Sequence, residues 1–359
     1  MPAFRSPRLL LSLSLFGLLA ACGGEPKPAT PAPVVVPAAA KPLRIGIALG
    51  GGAAKGFAHI GVIKMLQANG LEPVVVSGTS AGSVVGALYA SGMDAFQMQQ
   101  AAVALDETSI RDMRLFSGGL VQGQALQDYV NAQLKNRPIE KLAKPFAAVS
   151  TRLEDGERTV FVRGNAGQAV RASSSIPGVF EPVTIGKFHY VDGGVVSPVP
   201  VDAARQLGAD FVVAVDISSK ASGQNPAGML SIVNQSIAIM GQRLGQQELA
   251  RADIVIRPKV NDIGAADFTQ RNAAILEGEK AALAAMPQIK AKLAQLQQQR
   301  AAAAAKAAQP APAPCEPRSR PGPPDRPRRS VQEAGLNRRG TSRTTAPCIA
   351  PLPSGEGLG

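Results

Sequence analysis

The 359-residue sequence has no tryptophan, is only 4% aromatic, and carries two histidines and three cysteines. Each scarcity removes a class of chemistry. Cys22, Cys315 and Cys348 lie toward the ends, and residues 42–300 contain no cysteine, which excludes a thiolate nucleophile and a Cys-ligated zinc site from the central part. Three cysteines also make no disulfide framework. Aromatics interleaved with a basic stripe, as a phosphate backbone requires, are missing as well. The formal charge of +12 does not restore them: Arg5 and Arg8 sit in the leader, and segment 301–359 has nine Lys/Arg against four Asp/Glu. The middle of the chain is only mildly basic, and no nucleic-acid partner is expected. Apolar residues, by contrast, make up 45% of the chain, enough for a sizeable core.

The first 21 residues read as a secretory leader. Arg5 and Arg8 precede the apolar run Leu9–Leu19, which is too short to span a bilayer. The run ends in Leu19-Ala20-Ala21-Cys22, which resembles the lipobox of bacterial lipoproteins. That resemblance implies cleavage before Cys22 and its lipidation, hence a lipid-anchored protein of the cell envelope. Gly23 follows where an Asp would have pointed to the inner membrane, so the periplasmic face of the outer membrane is the expected address. An ordinary secretory signal with an incidental cysteine is the alternative. Residues 22–42 are rich in Pro, Ala and Val and read as a spacer. Residues 301–359 form a low-complexity tail, Pro- and Arg-rich beyond Ala307 and without periodicity, which predicts disorder. The tail reads as an extension with no selected pattern, or as a tether.

Between these ends, residues 43–300 alternate strand and helix signals. A strand at Leu43–Leu49 runs into Gly50-Gly51-Gly52 and a helix over Gly56–Ala68; a strand at Val74–Val76 leads into a helix over Ser80–Ala90. Strand–helix–strand–helix predicts parallel pairing with right-handed crossovers. Further on, helices are expected over 123–135, 166–174, 201–207 and 229–250. Phe146–Arg152 and Arg158–Val162 flank the hairpin signal Asp155-Gly156. Short strands are expected at 184–185, 188–191 and 254–256. Asp210–Asp216 is apolar enough to be buried on both faces. A helix over 268–306 should break or kink at Pro287. Met93, Phe96, Met98, Met113, Leu115 and Phe116 mark segment 93–122 as either a lid over an acyl pocket or ordinary core.

The residues that carry chemistry begin with Gly78-Thr79-Ser80-Ala81-Gly82. A G-x-S-x-G sequence on a strand-to-helix turn exposes the serine oxygen as a nucleophile. A serine needs a base, and the chain order of an α/β-hydrolase triad is Ser, then Asp/Glu, then His. His59 precedes Ser80 and no histidine follows Tyr190, so His59 and His189 read as structural and a triad is poorly supported. Asp192, ending the strand Phe188–Val191 and followed by Gly193-Gly194, is the candidate carboxylate; an ordinary Asp-Gly-Gly turn is the alternative. Near its usual pKa of about 3.9 an aspartate is a weak base, so burial or positioning would have to help it. The loop Gly50-Gly51-Gly52-Ala53-Ala54-Lys55-Gly56, between a strand and a helix N-terminus, can point several N–H groups at one anion. Lys55 adds charge there or faces solvent. A nucleotide is not favoured: Phe57 follows Gly56 where a P-loop needs Lys, and no acid ends the second strand.

Taken together, Gly50–Val62, Gly78–Ser83, Arg171–Phe180 and Asp192–Gly194 resemble the patatin-like phospholipase family, over about residues 43–260. The resemblance implies a three-layer α/β/α sandwich with a mostly parallel central sheet. It implies Ser80 as nucleophile, Asp192 as base, and an oxyanion hole from Gly50, Gly51 and Gly52. It further implies lipid acyl esters as substrates, with no metal or cofactor required. Lys55 stands where many members have arginine, which keeps the charge and loses the planar fork. An acyltransferase with the same dyad, or a non-catalytic lipoprotein of the same fold, would carry the same residues. Neither the substrate head group nor the oligomeric state is encoded in these patterns.

Overall fold

The computed structural model describes residues 42–105, 121–218 and 228–308. The leader, Cys22, the spacer up to residue 41, Met113, Leu115, Phe116 and the tail beyond 308 lie outside them. Along the chain the elements are β1 (Ile45–Leu49), α1 (Phe57–Ala68), β2 (Val75–Thr79), α2 (Ala81–Ala90), α3 (Ala95–Ala104), α4 (Gln124–Gln133), β3 (Phe146–Arg152) and β4 (Arg158–Phe161). They continue with α5 (Ala166–Ser173), β5 (Val183–Ile185), β6 (Phe188–Asp192), α6 (Val201–Gln206), β7 (Phe211–Val215), α7 (Met229–Leu249), β8 (Ile254–Ile256) and α8 (Arg271–Ala308).

The strands form one sheet in the order β5-β6-β3-β2-β1-β7-β8, with β4 paired to β3. Pairs β1–β2, β1–β7, β2–β3 and β7–β8 are parallel, while β3–β4, β3–β6 and β5–β6 are antiparallel. Side chains of successive strand residues point to opposite faces, and the core divides accordingly. Ile47, Leu49, Val76, Val213 and Val215 pack with α1, α2 and α8 on one face. Ala48, Val75, Val212 and Ala214 pack with Val201 and Ala204 of α6 and Leu249 of α7 on the other. Both faces are covered, giving the expected α/β/α layers.

The differences from the sequence reading are local. β2 runs on through Ser77-Gly78-Thr79 instead of stopping at Val76, because β1 and β3 pair with it on either side as far as Gly78 and Thr79. The helix α3 was not anticipated; it opens on a capping box between Asp94 and Gln97. In it Met98 is fully buried, whereas Phe96 is 65% exposed, with Lys64 Nζ 5.3 Å above its ring. The last helix, α8, does not break at Pro287 and continues to Ala308. Pro287 lies on the exposed face, where water can satisfy the carbonyl that the ring leaves without a donor.

Candidate active site

Two strand ends meet on one edge of β3. Val149 pairs with Thr79 of β2 and Ser150 pairs with Asp192 of β6, while β4 occupies the opposite edge. β2 runs parallel to β3 and β6 antiparallel, so their C-terminal ends face each other. Ser80 is the first residue past the end of β2, and Asp192 is the last of β6. This head-on junction brings together two residues separated by more than a hundred positions.

Ser80 sits on a sharp turn with φ 55° and ψ −127°. A non-glycine residue there stores on the order of 1–3 kcal/mol of strain, held by close packing on both sides. A Cβ on Gly78 would lie 2.3 Å from Gly82 O, and one on Gly82 would lie 2.1 Å from Leu49 O. Both glycines of the pentapeptide are therefore fixed by approach. The Ser80 N–H donates to Ser173 Oγ at 2.9 Å, and Ser173 in turn donates to Val149 O. Ser173 thus pins the elbow to β3. It lies within the Arg171–Phe180 run, the one signal by which the sequence could have marked it.

Asp192 is 7% exposed. Its Oδ1 accepts from Gly194 N–H at 2.7 Å, and Oδ2 is buried with no hydrogen-bond partner among the described residues. Burial raises its carboxyl from 3.8 to about 6, against the pull of the Ser80 hydroxyl and the Gly194 amide. The Ser80 hydroxyl is near enough to favour the ionised form, yet no formed hydrogen bond occupies Oδ2. Such contacts commonly tighten only when substrate is bound. Gly193 must be glycine, since a Cβ would lie 2.1 Å from Val149 O.

The glycine loop follows β1. Leu49 pairs with Gly78, which brings Gly51 abreast of Ser80; a Cβ on Gly51 would lie 3.3 Å from Ser80 Cβ. The loop therefore borders the nucleophile, but not all its amides face the site. Gly50 N–H donates to Val215 O and Gly51 N–H to Pro198 O, each at 3.0 Å. The expected trio of donors narrows to Gly52, joined by Ala53, whose N–H groups have no backbone acceptor among the described residues. Ala53, like Ser80, has a positive φ, 51°. Lys55 does not face solvent: it is 4% exposed, and burial lowers its pKa while Asp262 pulls it back up.

His59 is fully buried in α1, and its Nε2–H donates to Gly50 O at 2.8 Å. Burial drives its pKa down to about 4, so it is neutral at pH 7 and braces the glycine loop. His189 is exposed and bonded to Glu154. Neither ring is hydrogen-bonded to Ser80 or Asp192. No group of His, Cys, Asp and Glu among the described residues could hold a metal ion.

The family model for patatin-like phospholipase matches residues 47–205, the span containing the glycine loop, Ser80 and Asp192. Over this span the chain is similar to the patatin-like phospholipase family. An uncharacterised NTE family protein of Mycobacterium tuberculosis is 35% identical over 183 residues, covering 50% of this chain and 51% of the relative. The patatin-like phospholipase domain-containing protein 6 of Mus musculus is 34% identical over 184 residues, 49% of this chain and 14% of that protein. The chain thus spans about half the length of the mycobacterial relative and a small part of the mouse one. Among solved structures, VipD from Legionella pneumophila is similar over 67% of this chain and 66% of that one, with a TM-score of 0.47 and 16% identity. The matched span ends within α6, and β7, α7, β8 and α8 lie beyond it.

Proposed function

We propose that the protein is a serine acyl-ester hydrolase of the phospholipase, lipase or esterase type, held at a membrane through lipidated Cys22. The observation that carries the reading is the strained Ser80 beside a buried Asp192 whose Oδ2 is free to accept a proton. Ser80 Oγ attacks the ester carbonyl and its proton passes to Asp192. The tetrahedral oxyanion is held by the N–H groups of Gly52 and Ala53, with the N-terminal amides of α2 contributing the positive end of its dipole. Collapse expels the alcohol, which takes the proton from Asp192 and leaves an acyl-Ser80 ester. Water, deprotonated by Asp192, then attacks that ester; the bond to Ser80 Oγ breaks, Asp192 returns the proton to Oγ, and the acid is freed. The chemistry uses no metal or cofactor, and the substrate class is a lipid acyl ester.

The cell-envelope address, at the periplasmic face of the outer membrane, rests on the residues around Cys22. Transfer of the acyl group to an alcohol other than water would follow the same steps, and product analysis with a competing alcohol separates the two. The reading is tested by Ser80→Ala together with a fluorophosphonate probe. Wild-type protein should be labelled at Ser80 and should cleave a chromogenic short-chain ester. The variant should lose both, with turnover down at least ~10³-fold. Turnover retained in the variant overturns the mechanism.

A further inference from the structure

Glu248 is the only acid in the 21-residue helix α7, and it is 4% exposed. None of the chemistry above uses it. Its two oxygens grip one short segment: Oε1 accepts from Ser197 Oγ at 2.5 Å and Oε2 from Val199 N–H at 2.9 Å. That segment, residues 197–200, is a strap beneath the site. Ser197 O accepts from Thr79 Oγ1 and Pro200 O from Ser77 Oγ, each at 2.8 Å, which fixes the end of β2 just before Ser80. Pro198 O accepts the Gly51 amide, and Val199 packs 3.1 Å from where a Cβ on Gly50 would be. At its start, Ser197 N–H donates to Gly193 O in the turn after Asp192.

We propose that Glu248 is a positioning residue for ester cleavage, holding through the 197–200 strap the nucleophile elbow, the glycine loop and the Asp192 turn in one reactive geometry. This rests on the hydrolase reading of that site. Three parts of the site hang on consecutive residues of one strap, and Glu248 bonds the strap on either side of Pro198. Pro198 has no N–H of its own to anchor, so the strap's hold on Gly51 depends on its neighbours. A shift of about 1 Å in reacting groups can reduce rate ~100-fold, and a strap that loosens displaces oxyanion donors and nucleophile together.

The charged and titratable groups facing the carboxylate are Arg158 of β4, 4.0 Å away, Asp202 of α6, and Arg251 just beyond the end of α7. Burial raises Glu248 to about 7, opposed by Ser197, Val199 and Arg158 and reinforced by Asp202. Glutamine reproduces the protonated acid: its oxygen can accept from Val199 N–H while its NH2 donates to Ser197 Oγ. Leucine removes both bonds at similar volume.

The experiment compares Glu248→Leu, Glu248→Gln and Ser197→Ala with wild type. Readouts are kcat and KM for a soluble chromogenic ester, normalised to folded protein, and hydrogen exchange of the peptides covering 50–56 and 193–200. The expected result is a ~10–100-fold loss of kcat in Glu248→Leu with KM within about 2-fold. Glu248→Gln should stay within about 3-fold of wild type, and exchange at 50–56 should quicken in Glu248→Leu and in Ser197→Ala but not in Glu248→Gln. Should the Leu variant fail to fold, Ser197→Ala decides: a several-fold loss of kcat with faster exchange at 50–56 supports the role. Wild-type kcat per folded molecule, or unchanged exchange at 50–56, in the deciding variant overturns it, as does a Gln variant as impaired as Leu. A wild-type protein that neither cleaves esters nor reacts with the probe would sink the hydrolase reading instead, leaving the exchange comparison to judge the strap.

Discussion

As the proposed base, Asp192 carries two opposing demands. To accept a proton it must be ionised, and to be a competent base it must be held away from water, which penalises ionisation. The balance is a carboxyl raised to about 6. The acid limb of kcat/KM should therefore lie near pH 6, with activity rising as Asp192 loses its proton. A limb near pH 4, or none above it, would contradict that assignment. The same shift is a statement about stability. The folded state keeps the proton up to about pH 6 and the unfolded state releases it near 3.8. Folding is thus least hindered by this group below pH 3.8, and stability is lost as pH rises through about 6. Asp192→Asn removes that loss while preserving the acceptor for Gly194. At pH 8 it should stabilise the protein by on the order of 1–3 kcal/mol in urea unfolding and abolish turnover. At pH 4 the stability difference should vanish. Destabilisation by Asn at pH 8 would show that the ionised carboxylate is better accommodated than its burial implies.

At the scale of elements, the seating of α8 on α1 is set by two glycines. A Cβ on Gly61 of α1 would lie 1.9 Å from Ile275 O, and one on Gly278 of α8 would lie 2.0 Å from Ala58 O. Each helix gives up about 1 kcal/mol of propensity at its glycine to let the two backbones touch, and Phe57, Ala58, Ala274 and Ile275 close around the crossing. Gly278→Ala should destabilise by about 3 kcal/mol or more, because backbone atoms cannot yield as side-chain ends do. Urea unfolding measures this; a variant as stable as wild type would mean that α8 docks more loosely than the crossing requires. Periodicity alone shows such a helix but not its partner. The same limit governs β2. Ser77-Gly78-Thr79 is too polar to read as buried strand, yet it is one, since Pro200 O and Ser197 O receive its two hydroxyls. Strand and helix order, the Asp155-Gly156 hairpin and the doubly buried β7 were legible because each is encoded within its own segment. Ser80 and Asp192 were legible by type, His59 only as structural. Which glycine-loop amides remain free, and that Ser173 and Glu248 brace the site, depend on contacts between distant segments and leave no local pattern.

For the whole molecule, the proposed hydrolase must bring lipids to a buried nucleophile, Ser80. No helix among the described residues is long and apolar enough to cross a membrane. In the proposed reading, attachment falls to the acyl chains on Cys22, at roughly 0.8 kcal/mol per buried methylene, with two or more chains needed for a firm anchor. Residues 22–42 would then be the tether between that anchor and the domain. That tether would keep the domain within a small shell above its substrates and raise their effective concentration without any new contact. Cys22→Ser should then move the protein from the membrane fraction to the soluble one while leaving kcat on a soluble short-chain ester unchanged, since Cys22 lies far in sequence from Ser80, Asp192 and the strap. Release of fatty acid from phospholipid vesicles should fall by about 10-fold or more, in line with the lost effective concentration. Membrane association that survives Cys22→Ser would locate the attachment elsewhere in the chain and remove the reason to read residues 1–22 as a lipoprotein leader.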